Sequence, residues 1–336
     1  MLSEQERQLL DAILKRFAGR VELDRNGSVS MEGQAWDPHT TLPILRSVLP
    51  DCRPADAADA YEQLRAFILA STPETLRAVD LGLMPPSKGL HFMLGPDGLY
   101  YDFVNTDRVL TELQRAGAAL SGSVLDFGCS TGRNVAVLAR SGLPLQLTGV
   151  DPVPSSIEWA NDNIAGAQFV LSRQAPPLPF SDQTFDLIYA KSIWTHFSPD
   201  AARQWFAEIA RLLKRGGHFF FNIHGAHDLA NRLAHNFPAP RYANIAHGEF
   251  ADRASFVGAA FDGIVNHGWF FRPYTSAASQ ADLGKLPGAV IDDWGVMFMT
   301  PEYLREKLLP ASLELVRYTP AATAGRLDGC VVRRVR

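Results

Sequence analysis

The sequence predicts an α/β protein built on a doubly wound, mostly parallel seven-stranded sheet with an antiparallel last strand. A mainly helical region precedes it, and an insertion follows the fifth strand. Three observations predict this class. From residue 123 onward short apolar segments alternate with helical ones, the rhythm of parallel strands joined by helices lying on both faces of a sheet. A glycine-bearing turn follows the first of those strands, where doubly wound sheets bind their ligands. Two strand-like segments close the chain with no helix between them, as an antiparallel pair allows.

The elements follow in order. Ser3 and Glu6 have capping-box spacing, and Leu9, Leu10, Ile13, Leu14 and Phe17 recur at helical spacing up to a stop at Gly19. Residues 21–31 read as a hairpin turning at Asn26-Gly27. Residues 40–49 and 55–70 read as helices, the second with Tyr61, Leu64, Phe67 and Ile68 on one face, and Pro85-Pro86 breaks the pattern. Residues 89–103, rich in glycine and aromatics, read as a linker or lid, and a helix is expected over 107–120. Residues 1–95 are thus a mainly helical region that covers a substrate or supplies a dimer surface. Residues 96–336 form the sheet domain.

Within that domain VLDF (124–127) is the first strand and a helix starts at Gly132. LQLTGV (145–150), a helix from Pro154, QFVL (168–171) and FDLIYA (185–190) follow. The next helix is well marked: Ser198 as N-cap, Pro199 at its first position, Asp200 at its positive end, and Gly216-Gly217 past its close. HFFFNI (218–223) is the fifth strand. Residues 225–297 read as an irregular, aromatic-rich insertion, and a helix starts near Pro301. SLELVRY (312–318) and GCVVRRV (329–335) complete the sheet.

Composition removes several function classes. The 336 residues are 46% hydrophobic, enough for a sizeable core, and Lys+Arg total 32 against 36 Asp+Glu. That balance argues against wrapping nucleic acid through a basic face, with a small local basic patch left open, and no nucleic-acid partner is expected. Cys52, Cys129 and Cys330 are too few and scattered for a disulfide framework or a CxxC metal clip. The N-terminus lacks an apolar signal segment, and no apolar run reaches the ~18 residues of a membrane span. A cytoplasmic protein without membrane contact is the expectation.

The segment with the strongest chemical content is VLDFGCSTGRN, residues 124–134, at the first strand-helix turn. Gly128 and Gly132 let the backbone turn tightly and approach a ligand. Asp151 ends the second strand, where a carboxylate accepts both hydroxyls of a ribose. The dinucleotide fingerprint G-x-G-x-x-G is not met, because Gly128, Ser130 and Arg133 occupy its three positions. Asp126, at the tip of the first strand, would also repel a pyrophosphate, by several kcal/mol at ~4 Å in a partly buried site. The same carboxylate favours a nucleoside cofactor with a cationic tail, as in S-adenosyl-L-methionine. The plainer alternatives are that Asp126 caps the following helix and that Asp151 is a turn residue before Pro152.

Residues 123–224 resemble class I S-adenosylmethionine-dependent methyltransferases. The stretches that carry the resemblance are LDFGCSTGRN, LTGVDPVPSSIEWA, APPLPFSDQTFDLIYAKSIWTHF and FAEIARLLKRGGHFFFNIHG, in that order. MTPEYLREKLLP to LDGCVVRRVR is similar to the family's closing helix and strand pair. The resemblance implies that Asp126, Gly128, Cys129 and Ser130 hold the methionine part, with Gly132 completing the glycine loop. It implies that Asp151 binds the ribose, that Pro152 lies against adenine, and that Gln174-Ala175 stands where an acid and a small residue often hold the adenine amino group. Backbone at Ala190 and Lys191 would flank the methionine and the acceptor. The segment before the first strand, with Tyr100, Tyr101 and Arg108, would fold over the cofactor. Cys129 reads as a packed small residue rather than a nucleophile.

Methyl transfer to an alcohol or phenol needs a proton acceptor, whereas a thioether, thiolate or amine does without one. His196 and His224 each follow a strand end on the ligand side and are the candidates for catalysis, against a merely structural role. His224-x-x-His227 has metal-ligand spacing, but no helix is signalled there, and no metal is expected. The insertion, with Trp269, Tyr274 and Trp294 among its aromatics, reads as the roof of an acceptor pocket; covering a sheet edge or a homodimer contact are the alternatives. The expected activity is methyl transfer to a small-molecule acceptor, foremost a hydroxyl oxygen of a sugar or natural product. Sulfur or nitrogen methylation and cofactor binding without catalysis stay open. A nicotinamide oxidoreductase is disfavoured by Asp126.

Overall fold

The computed structural model describes residues 2–18, 21, 98–234, 252–274, 284–286, 288–323 and 327–336. The hairpin expected beyond Val21, the helices expected over 40–49 and 55–70, the break at Pro85-Pro86 and residues 89–97 lie outside the described residues. In chain order the elements are α1 (Glu4–Arg16), α2 (Gly98–Arg115), β1 (Gly122–Phe127), α3 (Arg133–Ala139), β2 (Leu145–Asp151), α4 (Pro154–Asn163), β3 (Ala167–Leu171), β4 (Phe185–Ala190), α5 (Pro199–Leu212) and β5 (Leu213–Ile223). Then come α6 (Ala226–Ala234), α7 (Arg253–Asn266), β6 (Trp269–Pro273), β7 (Gly295–Met299), α8 (Pro301–Tyr303), β8 (Leu313–Thr323) and β9 (Leu327–Arg334).

Seven strands form one sheet in the order β3-β2-β1-β4-β5-β9-β8. The pairs from β3 through β5 are parallel, and β9 runs antiparallel to both β5 and β8. The order reverses between β1 and β4, so a crevice opens beyond the carboxyl ends of those two strands. Both faces are covered. Val124, Leu187, Tyr189 and Phe220 pack under α2, α3 and α4 with Leu113, Leu138 and Ile157. Leu125, Ile188, Phe219 and Phe221 pack on the opposite face with Trp205, Phe206 and Ile209 of α5. The run of three phenylalanines in β5 follows from this: alternate side chains point to opposite faces, and neither face meets water.

Two helix boundaries differ from the sequence reading. α2 starts at Gly98, well before residue 107, so part of the expected linker is helical. It stops short of residue 120 because Gly117 takes φ +84°, and the amides of Gly117 and Ala118 turn back to the carbonyls of Gln114 and Leu113. At the chain's start the capping box is formed: Ser3 Oγ accepts from Glu6 N at 3.2 Å, and Glu6 Oε2 accepts from Ser3 N at 2.8 Å.

The larger correction concerns residues 225–297, which the sequence reads as irregular. Among the described residues they contain α6, α7 and a separate antiparallel pair, β6 with β7. α7 is masked in sequence by its glycines, Gly258 and Gly263, and by its weak amphipathicity; Asp252 caps it, accepting from Ser255 N at 2.7 Å. These elements share a third apolar cluster with α1: Leu10, Ile13 and Phe17 meet Leu229, Leu233, Phe256, Val257 and Phe298. Arg253 of α7 also donates through Nε to Glu6 Oε1 at 2.7 Å. The N-terminal helix and the insertion are therefore one packed unit beside the sheet.

Candidate active site

The turn after β1 is shaped by three left-handed residues, Gly128 (φ +79°), Ser130 (φ +49°) and Gly132 (φ +71°). A Cβ on Gly128 would come within 2.5 Å of Ile193, and one on Gly132 within 2.5 Å of Phe169. Ser130 is a non-glycine in this region, a conformation costing about 1–2 kcal/mol for an L-residue. It is held by Asp151, whose Oδ2 accepts from Ser130 N at 2.8 Å while Oδ1 accepts from Val153 N at 3.0 Å. Asp151 thus fastens the β1 turn to the β2 turn. Burial pushes its pKa up against the pull of these two amides.

The other loop amides are engaged as well. Gly128 N and Cys129 N both donate to Val150 O at 2.9 Å. The Cys129 thiol is buried, and burial raises its pKa well above the ordinary value. It fills space left by Gly149, where a Cβ would lie 2.8 Å from its sulfur. The amides of Gly128, Cys129 and Ser130 therefore face β2, Gly132 N turns back to Cys129 O at 2.8 Å, and what the loop offers a ligand is its lack of bulk.

Asp126 is 2% exposed, beside Tyr189 of the neighbouring strand. Burial raises its pKa to about 7, opposed by the Tyr189 hydroxyl and Lys191. Among the described residues its Oδ2 has no partner at hydrogen-bonding geometry, nor has the Tyr189 hydroxyl, so the influence of that hydroxyl is a matter of proximity. A buried carboxyl oxygen left unmatched at a sheet's switch point fits a cationic group. Asp126 does not stand alone. Arg133 Nε donates to Asp102 Oδ2 at 2.6 Å, joining α3 to α2, and burial raises the Asp102 pKa to about 6. Lys191 lies in the fields of both carboxylates; burial lowers its pKa to about 8.

Of the other residues expected at the cofactor, four follow or end strands at their carboxyl ends. Ala190 ends β4 fully buried, Pro152 is half-buried after β2, and Gln174 and Ala175 are half-buried after β3. Tyr101 falls in the first turn of α2, and its side chain lies outside the described residues. Asp102 and Arg133 were not singled out by sequence; once 98–103 is helical, the acid comes into reach of the first residue of α3.

The two candidate histidines come together past β4 and β5, with ring centroids 6.4 Å apart. His196 Nδ1 lies 3.0 Å from Gly295 O and 2.6 Å from the Tyr274 hydroxyl, and its ring stacks on Trp294. Burial, then His224, lower its pKa to about 4, so it is neutral at physiological pH. His224 Nδ1 stands 2.9 Å from Asp228 Oδ2. Contrary to the sequence reading, a helix does start here: α6 begins at Ala226 and carries His227 and Asp228 in its first turn. Its sequence signal was the spacing of Leu229 and Leu233. Among the described residues no group of three or more His, Cys, Asp or Glu is placed to hold a metal.

Strand β7 ties the two histidine loops together. Gly295 N donates to His196 O at 2.8 Å, Met297 N to Thr195 O at 2.9 Å, and Met299 N to His224 O at 3.0 Å. Ser198, the α5 N-cap, hydrogen-bonds Asp293 at 2.5 Å.

Residues 125–221 match a family model described as a methyltransferase domain. The chain is 33% identical over 103 residues to a fatty-acid O-methyltransferase of Mycolicibacterium smegmatis, covering 29% of this chain and 35% of that protein. It is 32% identical over 111 residues to a malonyl-[acyl-carrier protein] O-methyltransferase of Hahella chejuensis, covering 32% of this chain and 38% of that protein. The chain thus spans little more than a third of the length of these curated relatives. A solved S-adenosylmethionine-dependent methyltransferase from Clostridium acetobutylicum aligns over 68% of this chain and 90% of its own, at 12% identity and a TM-score of 0.44.

Proposed function

We propose that this chain, which carries a class I S-adenosylmethionine-dependent methyltransferase domain, transfers a methyl group to an oxygen of a small-molecule or lipid acceptor. The residues at the switch point fit the cofactor. Asp126 offers its unmatched carboxyl oxygen to the cofactor's ammonium, and Asp151 keeps lone pairs for the ribose hydroxyls beyond those used by Ser130 and Val153. Gly128, Cys129, Ser130 and Gly132 give the methionine part a wall without bulk. Pro152, Gln174 and Ala175 border the adenine, and Ala190, Lys191 and Tyr101 edge the methionine end. Bound there, S-adenosylmethionine supplies an electrophilic methyl group.

The observation that carries the oxygen reading is the imidazole pair past β4 and β5, one of them beside a buried carboxylate. With Asp228 beside Nδ1, His224 takes a proton on Nε2 and passes the positive charge's cost to the carboxylate. His196 stays neutral and, tied to Gly295 and Tyr274, orients the acceptor. The insertion strand β7 and Trp294 roof this space and exclude water. Sugar and natural-product hydroxyls are the first acceptors to try. A carboxylate oxygen, as the name of the Mycolicibacterium smegmatis relative suggests, is the second reading, and it needs no base.

The test is turnover of an acceptor panel with S-adenosylmethionine, read as S-adenosylhomocysteine released, for the protein and for His224→Asn. Loss of turnover with alcohols upon substitution supports a hydroxyl acceptor. Unchanged turnover with fatty acids points to the carboxylate. No turnover with any oxygen acceptor, alongside turnover of a thiol or amine, overturns the oxygen reading.

A further inference from the structure

His224, Asp228 and Arg232 recur at four-residue intervals, the last two along one ridge of α6. Asp228 Oδ2 accepts from Arg232 Nε at 2.6 Å and approaches His224 Nδ1 to 2.9 Å, off the ring's hydrogen-bonding direction, so one carboxyl oxygen faces both cationic partners. All three side chains are buried, with 9%, 0% and 7% exposure in that order. The Arg232 guanidinium lies over two aromatic rings, 5.1 Å from the centroid of Phe298 and 5.9 Å from that of Phe256.

Burying such charges is costly, and a well-packed apolar residue in place of a buried ion pair is often as stable or more so. A buried carboxylate with no cation at hand is also driven towards its neutral form, which would no longer stabilise an imidazolium. The rings make the arginine's position rigid as well as satisfied: Phe256 belongs to α7 and Phe298 to β7, and both lie in the apolar cluster that α1 completes. Among the described residues, His196 from the loop after β4 and Tyr274 from the end of β6 also face this ridge.

We propose that Arg232 is a positioning residue for the methyl-transfer site: acting through Asp228, it fixes the ring proton of His224 on Nδ1 and leaves Nε2 as the proton-accepting atom. This rests on the reading of His224 as the base, but the ring's tautomer does not depend on that reading. Arg232 touches neither acceptor nor cofactor; it keeps Asp228 ionised and in one rotamer. Helix α1 and the insertion act as the brace that keeps the arginine between its rings.

The test uses the full chain labelled with ¹⁵N-histidine. His224 is expected in the Nδ1–H form in the unaltered protein. In Arg232→Met it should become a mixture of tautomers, with kcat down about tenfold or more and the affinity for S-adenosylmethionine unchanged. Arg232→Lys, which keeps a cation but not the planar fork, should recover part of both signals. Should Arg232→Met not fold, Phe298→Leu carries the test, with a lowered kcat, a changed His224 spectrum and unchanged cofactor affinity. A His224 tautomer and kcat that stay as they were in either folded variant overturn the proposal. A His224→Asn protein with undiminished turnover would overturn the base assignment alone, since the tautomer experiment would still stand.

Discussion

With Asp126 at the cofactor's ammonium, as proposed, its raised pKa should make cofactor binding a proton-linked event. Without cofactor the carboxyl titrates at about 7, against 3.8 in the ordinary state, because burial penalises its charge. The unfolded chain therefore gives up this proton earlier than the folded one, and the group lowers folding stability as pH climbs from about 4 to about 7. An ammonium placed beside the carboxyl needs the ionised form. The cofactor must then expel a proton below pH 7 and not above it. With a pKa of about 7, roughly half the carboxyls are ionised at pH 7 and about a tenth at pH 6, so affinity should fall about fivefold between them. Lys191, at about 8, titrates above this window, and Asp102, at about 6, at its lower edge, so the slope assigned to Asp126 is the part lost on its substitution. Calorimetry at both pH values, in buffers of different ionisation enthalpy, reads both the affinity and the proton. Asp126→Asn should weaken binding by about 1.5–3 kcal/mol, the size of a hydrogen bond to a charged group, and flatten the pH dependence. A slope undiminished in Asp126→Asn, or no slope between pH 6 and 7 in the unaltered protein, would refute the reasoning.

Other substitutions probe other parts of the site. Asp151→Ala removes the acceptor for two backbone amides and should cost about 1–3 kcal/mol, seen as a lower Tm and a larger loss of cofactor affinity. Ser130→Gly relieves a left-handed serine and should raise stability by up to about 1 kcal/mol in urea unfolding; a destabilised variant would mean that the side chain is needed. Gly132→Ala forces a Cβ towards Phe169 at a positive φ, and it should lower Tm and cofactor affinity together, with both unchanged counting against the close packing of α3 on β3. His224→Asn should reduce kcat for a hydroxyl acceptor by about 10²–10⁴ and leave cofactor affinity in place.

The sheet domain was legible because its strands are buried on both faces and its turns carry glycine at the positions that demand it. The run from Phe219 to Phe221 can hardly be anything but a central strand, and Ser198-Pro199 marks its helix start without ambiguity. The placement of Asp126, Asp151 and the glycine turn at strand ends was readable for the same reason: it is tied to a local backbone shape. The insertion was not. α7 is held by contacts with α1, more than 200 residues away in sequence, as Arg253 with Glu6 illustrates, and its own glycines argue against a helix. The juxtaposition of His224, Asp228 and Arg232 stayed hidden because it needs α6 to be helical, and α6 owes much to Leu229 and Leu233 meeting that distant helix. Asp102 and Arg133 were missed for a like reason, since α2 begins within a stretch whose composition reads as a linker.

Strand β7 donates its alternate amides to two loops that leave different strands of the main sheet. The spacing of the two imidazoles is thereby measured off along one extended segment, at ~3.3 Å for each residue. A single-residue insertion or deletion between Trp294 and Met299 would slide one loop against the other and turn every side chain of the segment over. If the two imidazoles meet the acceptor as proposed, a change of length here resets acceptor preference and leaves the strand ends of β1 and β2 untouched.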